Sequence, residues 1–289
     1  MLMNESNYKI ASVIILYNPD ENVFSNVSAC SEQTDFVYVI DNSETINDEL
    51  IKKILGIKNI DYKSFNENKG VAYALNYAAE LAIKNNFDFL LTMDQDSYLT
   101  QEVVKGLTDM IGKVDSVGII SPLHRNKFKT QGTYSTDYDE VLSVKTSGNL
   151  LNLEIFAKAG KFADDFFIDY VDIEYGMRLN SLGYKILRLN NVILEHCEAN
   201  LSQRKILGIK IYPWNHQPIR WYYKIRNLFY LEDKYGKYHP DFFRKEKFHY
   251  IKQFIKIFLY ESQKLKKLKF GYKGYIAYKK KLTGIGKFV

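Results

Sequence analysis

Cysteine is nearly absent from this 289-residue chain, which contains only Cys30 and Cys197. Two thiols cannot build a disulfide framework, and no zinc-type cysteine spacing is present. Small disulfide-stapled folds and cysteine-ligated metal domains are therefore excluded. Long apolar runs are missing too: none approaches the roughly 20 residues that a membrane-crossing helix needs. The opening MLMNESNYKI carries no basic, apolar leader pattern. A cytoplasmic protein is expected. There is no internal repeat and no low-complexity linker. Acidic residues are scarce at one end only. Residues 204–289 hold 5 Asp+Glu against 22 Lys+Arg, a net +17, whereas residues 1–203 hold 29 against 18, a net −11. Such an asymmetry points to two tasks or two neighbours.

What is present reads as an α/β protein. Aromatic residues are plentiful, with 23 Tyr and 18 Phe; tyrosine offers an apolar ring and a polar tip, which suits sugars and interfaces. Ile10 to Leu16 (IASVIIL) is apolar and β-branched, as a buried parallel strand should be. Phe36 to Ile40 is a second such run, with a short helix expected within residues 20–34. Ile60 to Ser64 reads as a weaker third strand. Val71 to Ile83 is rich in Ala and Leu and predicts a helix. Phe87 to Met93 predicts a fourth strand, followed by a helix near 101–112 and a strand from Val117 to Ile120. Residues 124–140 read as a loop or edge hairpin, and Ser147-Gly148-Asn149 as a tight turn before a helix at 153–159. A helix from Asp172 to Leu182 ends at Gly183. Lys185 to Leu189 and Val192 to Leu194 read as strands, and the chain is helical and basic from about 216. Strand, helix and strand in alternation favour a layered, mostly parallel sheet.

The chemistry gathers where strands stop. Three apolar strands end in Tyr17-Asn18, in Asp41-Asn42-Ser43 and in Asp94-Gln95-Asp96. Ligands of open parallel sheets bind beyond the carboxyl ends of the strands, so each cluster falls where a nucleotide could lie. Asn68 and Gly70 add a turn-type cluster before the alanine-rich helix. Asp94 and Asp96, two residues apart beyond a buried strand, can share one divalent cation; Mg2+ and Mn2+ prefer oxygen ligands and often take substrate phosphates as well. Asp172, by contrast, lies among Asp164, Asp165, Asp169 and Glu174, and composition alone would place it on a solvated face.

Several stretches together resemble the inverting glycosyltransferases of family 2, which have a GT-A fold. They are VIILYNP, VIDNS, Asn68-Lys69-Gly70, LLTMDQDS, TSGNLL and FFIDYVDIEYGMRLNSLGYKILRLNNVILEHCE. The last of these and RWYYKIRN (Arg220 to Asn227) are similar to the rhamnosyltransferase and galactofuranosyltransferase branches. The resemblance implies a GT-A catalytic domain over 8–215 and a helical, basic region over 216–289. It implies Asp94 and Asp96 as the metal and diphosphate motif, with His196 completing the site and Mn2+ or Mg2+ as cofactor. Asp172 matches the catalytic base, although Val171 stands where many relatives carry a first acid. A nucleotide-sugar pocket would use Tyr17, Asn18, Asp41, Asn42, Asn68, Gly70, Asp94 and Gln95. Acceptor contacts would come from Gly148, Asn149, Trp214, Tyr222 and Arg226.

The expected activity is transfer of rhamnose from dTDP-rhamnose to a hydroxyl of a growing, lipid-linked surface polysaccharide. UDP-galactofuranose or another UDP-hexose is the alternative donor. A non-catalytic glycan-binding scaffold with a basic membrane- or nucleic-acid-binding tail is the alternative of another class. Phe248 to Tyr260, followed by Lys264, Lys266, Lys267 and Lys269, fits an amphipathic helix on an anionic membrane. A helix docked on the catalytic domain is the plainer reading of that segment. The partners expected are thus a nucleotide-sugar donor, a lipid-linked glycan and the inner membrane face, without nucleic acid; a homodimer is allowed.

Overall fold

A computed structural model describes residues 8–125, 134–196, 204–206, 209–211, 213–286 and 288; the side chain of His196 lies outside the described residues. The chain divides into two units. The first comprises Met1–Ala163 with Asp172–Cys197, and the second Asp164–Val171 with Glu198–Val289.

The first unit is a layered α/β domain. Its elements run β1 (Ile10–Leu16), α1 (Val23–Gln33), β2 (Phe36–Asp41), α2 (Asp48–Leu55), β3 (Ile60–Ser64), α3 (Val71–Lys84), β4 (Phe89–Asp94) and β5 (Ser97–Tyr98). They continue with α4 (Gln101–Thr108), β6 (Val117–Arg125), β7 (Tyr138–Glu140), β8 (Asn149–Asn152), α5 (Leu153–Ala159), α6 (Val171–Ser181) and β9 (Lys185–His196). The strands form one sheet in the order β3-β2-β1-β4-β8-β6-β9-β5, with β7 paired to β9. Pairing is parallel from β3 to β4, as the unbroken apolar runs of β1, β2 and β4 predict. Beyond β4 the sheet is mixed: β8 runs antiparallel to both β4 and β6, while β6 and β9 are parallel.

The sequence pattern missed β8, because its four residues lie between a turn and a helix and make no recognisable run. It also missed α2. There Asn47 caps the helix by accepting from the Leu50 N–H at 3.2 Å, and Leu50, Ile51 and Ile54 bury a narrow apolar stripe. The two strands expected at 185–189 and 192–194 form one strand. A shift of register between Pro122 and Leu123 of β6 lets β9 run on. The core lies between the sheet and its helices: Ile14, Leu16, Val39 and Leu91 meet Val27, Leu50 and Leu107 there. Cys30 is one of these core residues, and burial pushes its thiol up to about 12.

The second unit contains a two-stranded hairpin, β10 (Arg204–Ile206) and β11 (Ile209–Ile211), and three helices, α7 (Pro218–Tyr235), α8 (Pro240–Tyr260) and α9 (Lys264–Lys279). Helices α7 and α9 approach closely because α9 presents Gly271 and Gly274. A Cβ at Gly274 would overlap the Tyr222 carbonyl, which is backbone and cannot swing aside. Helix propensity alone would favour alanine there by about 1 kcal/mol. We expect Gly274→Ala to lower stability by about 1–3 kcal/mol instead, read as a lower urea midpoint; an unchanged or raised midpoint would refute this packing.

Candidate active site

The carboxyl ends of β1, β2 and β4 carry a hydrogen-bonded rim. Asp41 is fully buried at the end of β2; it accepts from the Ser43 N–H at 2.8 Å and from the Tyr62 hydroxyl at 2.9 Å. Burial, and then that carboxylate, raise the Tyr62 phenol well above its ordinary range, so it stays a donor. Ser43 Oγ accepts from the Asn18 N–H at 2.8 Å, and Asn18 takes a left-handed turn at φ 47°. The Asn42 amide donates to the Gly70 carbonyl at 3.1 Å, while Asn68 Oδ1 accepts from the Gly70 N–H at 3.0 Å. Gly70 sits at φ 89°, immediately before α3.

Gln95 ties two strand ends together: its Oε1 accepts from the Tyr17 N–H at 2.8 Å and its Nε2 donates to the Tyr17 carbonyl at 3.2 Å. The Tyr17 ring remains largely exposed. The structure thus brings Tyr17, Asn18, Asp41, Asn42, Asn68, Gly70 and Gln95 onto one edge of the sheet.

Asp94 ends β4, partly buried, and Asp96 is exposed two residues later. The Asp94 N–H donates to Ser147 Oγ at 3.1 Å, and that hydroxyl donates to Ser97 Oγ at 2.7 Å. His124 Nε2 lies 2.7 Å from the Ser147 carbonyl. Backbone register sets Ser97 of β5 opposite His196 of β9, so residue 196 runs alongside the residue that follows Asp96. Among the described residues no group of three or more His, Cys, Asp or Glu is placed to hold a metal ion. The described donors are the two carboxylates. They are hard oxygen ligands of the kind Mg2+ and Mn2+ take, with water and substrate phosphate filling the remaining positions.

The turn at 147–149 lies against the same strand end, where the Gly148 N–H donates to the Thr92 carbonyl at 2.6 Å. Gly148 has φ 77°, and a Cβ there would meet the Leu194 side chain at 2.6 Å, so both backbone and space require glycine. Asp172 occupies the first turn of α6, partly buried, with Oδ1 accepting from the Ile173 N–H at 2.9 Å. A carboxylate there also meets the positive end of the helix dipole. Asp172, Thr92, Asn149 and Tyr175 line one small cavity. Thr92 precedes Asp94 by two residues on β4, so the cavity lies just short of the acidic strand end.

The remaining sequence-predicted residues belong to the second unit. Arg226 is fully buried, and its guanidinium donates to the Gly284, Asp165 and Phe166 carbonyls at 2.7, 3.0 and 3.2 Å. Neighbouring Asn227 donates to the carbonyls of Phe166, Ile168 and Asp169, each at 2.9 Å. Together they hold a segment in which Phe167, Asp169 and Tyr170 all lie in the left-handed region. Tyr222 is buried edge-on against Tyr223, and Trp214 stacks against Trp221 with the Lys224 ammonium 4.9 Å from its ring centre. These contacts give Tyr222, Arg226 and Trp214 packing tasks. Sequence reasoning overlooked Ser147, Tyr62, Thr92 and Tyr175. Only Tyr175 carried a usable signal, three residues after Asp172 on a predicted helix.

Comparison with known proteins bears on this geometry. The family model described as Glycosyl transferase family 2 matches residues 13–164. The dTDP-rhamnosyl transferase RfbF of Shigella flexneri is 27% identical over 246 residues, covering 78% of this chain and 80% of that protein. The solved mannosyltransferase PcManGT from Pyrobaculum calidifontis, in complex with GDP-Man and Mn2+, aligns with a TM-score of 0.60 at 14% identity. The match covers 81% of this chain and 65% of that one. GalNAc-T7, solved with UDP, GalNAc and Mn2+, aligns with a TM-score of 0.61 at 13% identity, over 83% of this chain and 50% of its own. This chain therefore spans less than two thirds of either solved chain. The likeness gives the fold, which is GT-A.

Asp169 anchors the left-handed segment electrostatically. Burial pushes its carboxyl up, but Lys224 at 2.8 Å and Arg220 at 3.1 Å outweigh burial and hold it well below the usual carboxylate range. A depressed carboxylate stabilises the fold above its ordinary pKa, near 4, and loses that contribution as the pH falls below it. Asp169→Asn should cost about 3 kcal/mol, the low end for a broken buried pair because Arg220 is partly exposed. Urea unfolding should also show a flatter acid limb than wild type. An equally steep acid limb would refute the assignment.

Proposed function

The chain belongs to glycosyl transferase family 2 and is a glycosyltransferase, and we propose that it transfers rhamnose, with inversion, from dTDP-rhamnose to a hydroxyl of a lipid-linked glycan. Proximity supports the reading: Thr92 of β4, two residues before Asp94, and Asp172 in the first turn of α6 line one cavity. The named rhamnosyl transferase relative supports the choice of donor.

Each side chain then has a task. The rim from Tyr17 to Gly70 supplies amides and carboxylates to a nucleoside. Asp94 and Asp96, with His196 beside them in register, would hold Mn2+ or Mg2+, which supplies Lewis-acid stabilisation of a departing diphosphate. Asp172 takes the proton of the acceptor hydroxyl as its oxygen attacks the anomeric carbon, and the nucleoside diphosphate leaves from the opposite face. No nucleophilic side chain is required. In an assay of dTDP release from dTDP-rhamnose with Mn2+ present, Asp172→Asn should lower kcat about a thousandfold while donor binding stays near wild type. A fully active variant would remove the base.

A membrane surface completes the reading. Among the described residues no helix is long and apolar enough to cross a membrane. Helix α8 buries Phe243, Tyr250 and Ile257 on one face and exposes Phe248, Ile251, Ile255, Phe258 and Leu259 at helical spacing on the other. Helix α9 exposes Leu265 and Tyr272. Lysines flank the exposed stripe: the Lys252 ammonium lies 4.3 Å and the Lys264 ammonium 5.6 Å from the ring centres of Phe248 and Phe258. Apolar rings ringed by ammonium groups match the acyl boundary of an anionic leaflet, which would place the enzyme at the inner face of the membrane with its lipid-linked acceptor. The full chain should co-sediment with vesicles containing phosphatidylserine, and Ile251→Glu with Ile255→Glu should release it. Absence of binding by wild type would end this reading.

A further inference from the structure

The cavity beside Asp172 contains polar atoms that the transfer chemistry leaves unused. Asn149 Oδ1 and the Tyr175 hydroxyl are buried, and no described group meets either of them. Asn149 is 5% exposed and Tyr175 is fully buried, so bulk water does not serve them. The Asn149 amide is fixed in its orientation: Nδ2 donates to the Lys145 carbonyl at 2.6 Å, and a flip would set oxygen against oxygen. Oδ1 is therefore an acceptor in want of a donor. Burial raises the Tyr175 phenol above its ordinary range, so its proton stays in place.

Both residues line one cavity with Asp172, walled otherwise by Ile119, Val144, Leu151 and Phe162 and by Thr92 and Thr146. Its volume, about 10 Å³, is room for about one water. A small, dry-walled space with several polar partners is where proteins keep a structural water.

We propose that one resident water in this cavity joins the Tyr175 hydroxyl, Asn149 Oδ1 and the Asp172 carboxylate, making Tyr175 and Asn149 positioning residues for Asp172. The water accepts the Tyr175 proton in a hydrogen bond, donates one hydrogen to Asn149 Oδ1 and donates the other to the carboxylate. Asp172 and Tyr175 stand three residues apart on α6, so their side chains leave the same face of the helix. Asp172 Oδ1 already accepts from the Ile173 N–H. A further fixed donor would help to lock the carboxylate plane. The positioning role rests on reading Asp172 as the base; the water site does not.

The test is a high-resolution crystal structure of the full chain together with the kinetics of Tyr175→Phe, which keeps the ring and removes only the hydroxyl. Density for one water within hydrogen-bond distance of both Tyr175 Oη and Asn149 Oδ1 is expected. The variant should lose about fivefold in kcat, the worth of the one neutral hydrogen bond that holds the water, with donor KM and far-UV circular dichroism unchanged. A dry cavity, or a protein atom in the water's place, would overturn the proposal. So would an ordered water beside a Tyr175→Phe enzyme of unchanged kcat, and that result would leave Asp172 as base untouched. A fully active Asp172→Asn would instead remove the base while the water site stood.

Discussion

Two hydrogen bonds between a turn and a strand end set the geometry on which the rest of the first unit depends. The Gly148 N–H reaches the Thr92 carbonyl, and the Asp94 N–H reaches Ser147 Oγ. They stitch residues 147–149 to the last turn of pleat in β4, at the point where the chain reverses to add β8 in the opposite direction. Without that stitch the acidic strand end would have no fixed neighbour on its β8 side. With it, a buried chain of serine hydroxyls runs from Asp94 to β5, whose register fixes the position of residue 196. Glycine suits the turn because φ is positive there and a Cβ would press on the Leu194 and Pro122 side chains.

The parallel half of the domain was legible in the sequence for a simple reason. Strands buried on both faces must be apolar throughout, so β1 could be bounded to the residue and β2 to within one. The rim residues were legible because a polar group that interrupts an apolar run stands out. What escaped notice depends on contacts distant in sequence. Strand β8 is recognisable only once β4 and β6 lie on either side of it. Tyr62 serves Asp41, and Ser147 serves Asp94, across gaps that no local pattern spans. The short helix α2 was hidden by its charge, since only three of its eight residues are buried.

The second unit gives the residues of RWYYKIRN structural contacts of their own. RWYYKIRN reads as an acceptor-facing motif by analogy. In the structure Arg220 and Lys224 pair with Asp169, and Arg226 and Asn227 collect the carbonyls of Asp165, Phe166, Ile168 and Asp169. Peptide groups in left-handed turns cannot satisfy one another within a helix or sheet, so donors must be brought to them. A buried arginine and asparagine do that, which explains why this stretch of α7 tolerates so much polarity on its buried side.

The Gln95 amide gives the middle position of the acidic motif a meaning of its own. By offering one donor and one acceptor to the Tyr17 backbone, it fastens the first and fourth strands at the mouth of the site. A carboxylate in its place could accept but not donate. Anyone who recasts this motif to broaden the range of accepted nucleotides would then be loosening a hinge pin rather than respelling a metal clamp, with the tyrosine at the entrance the first part to swing.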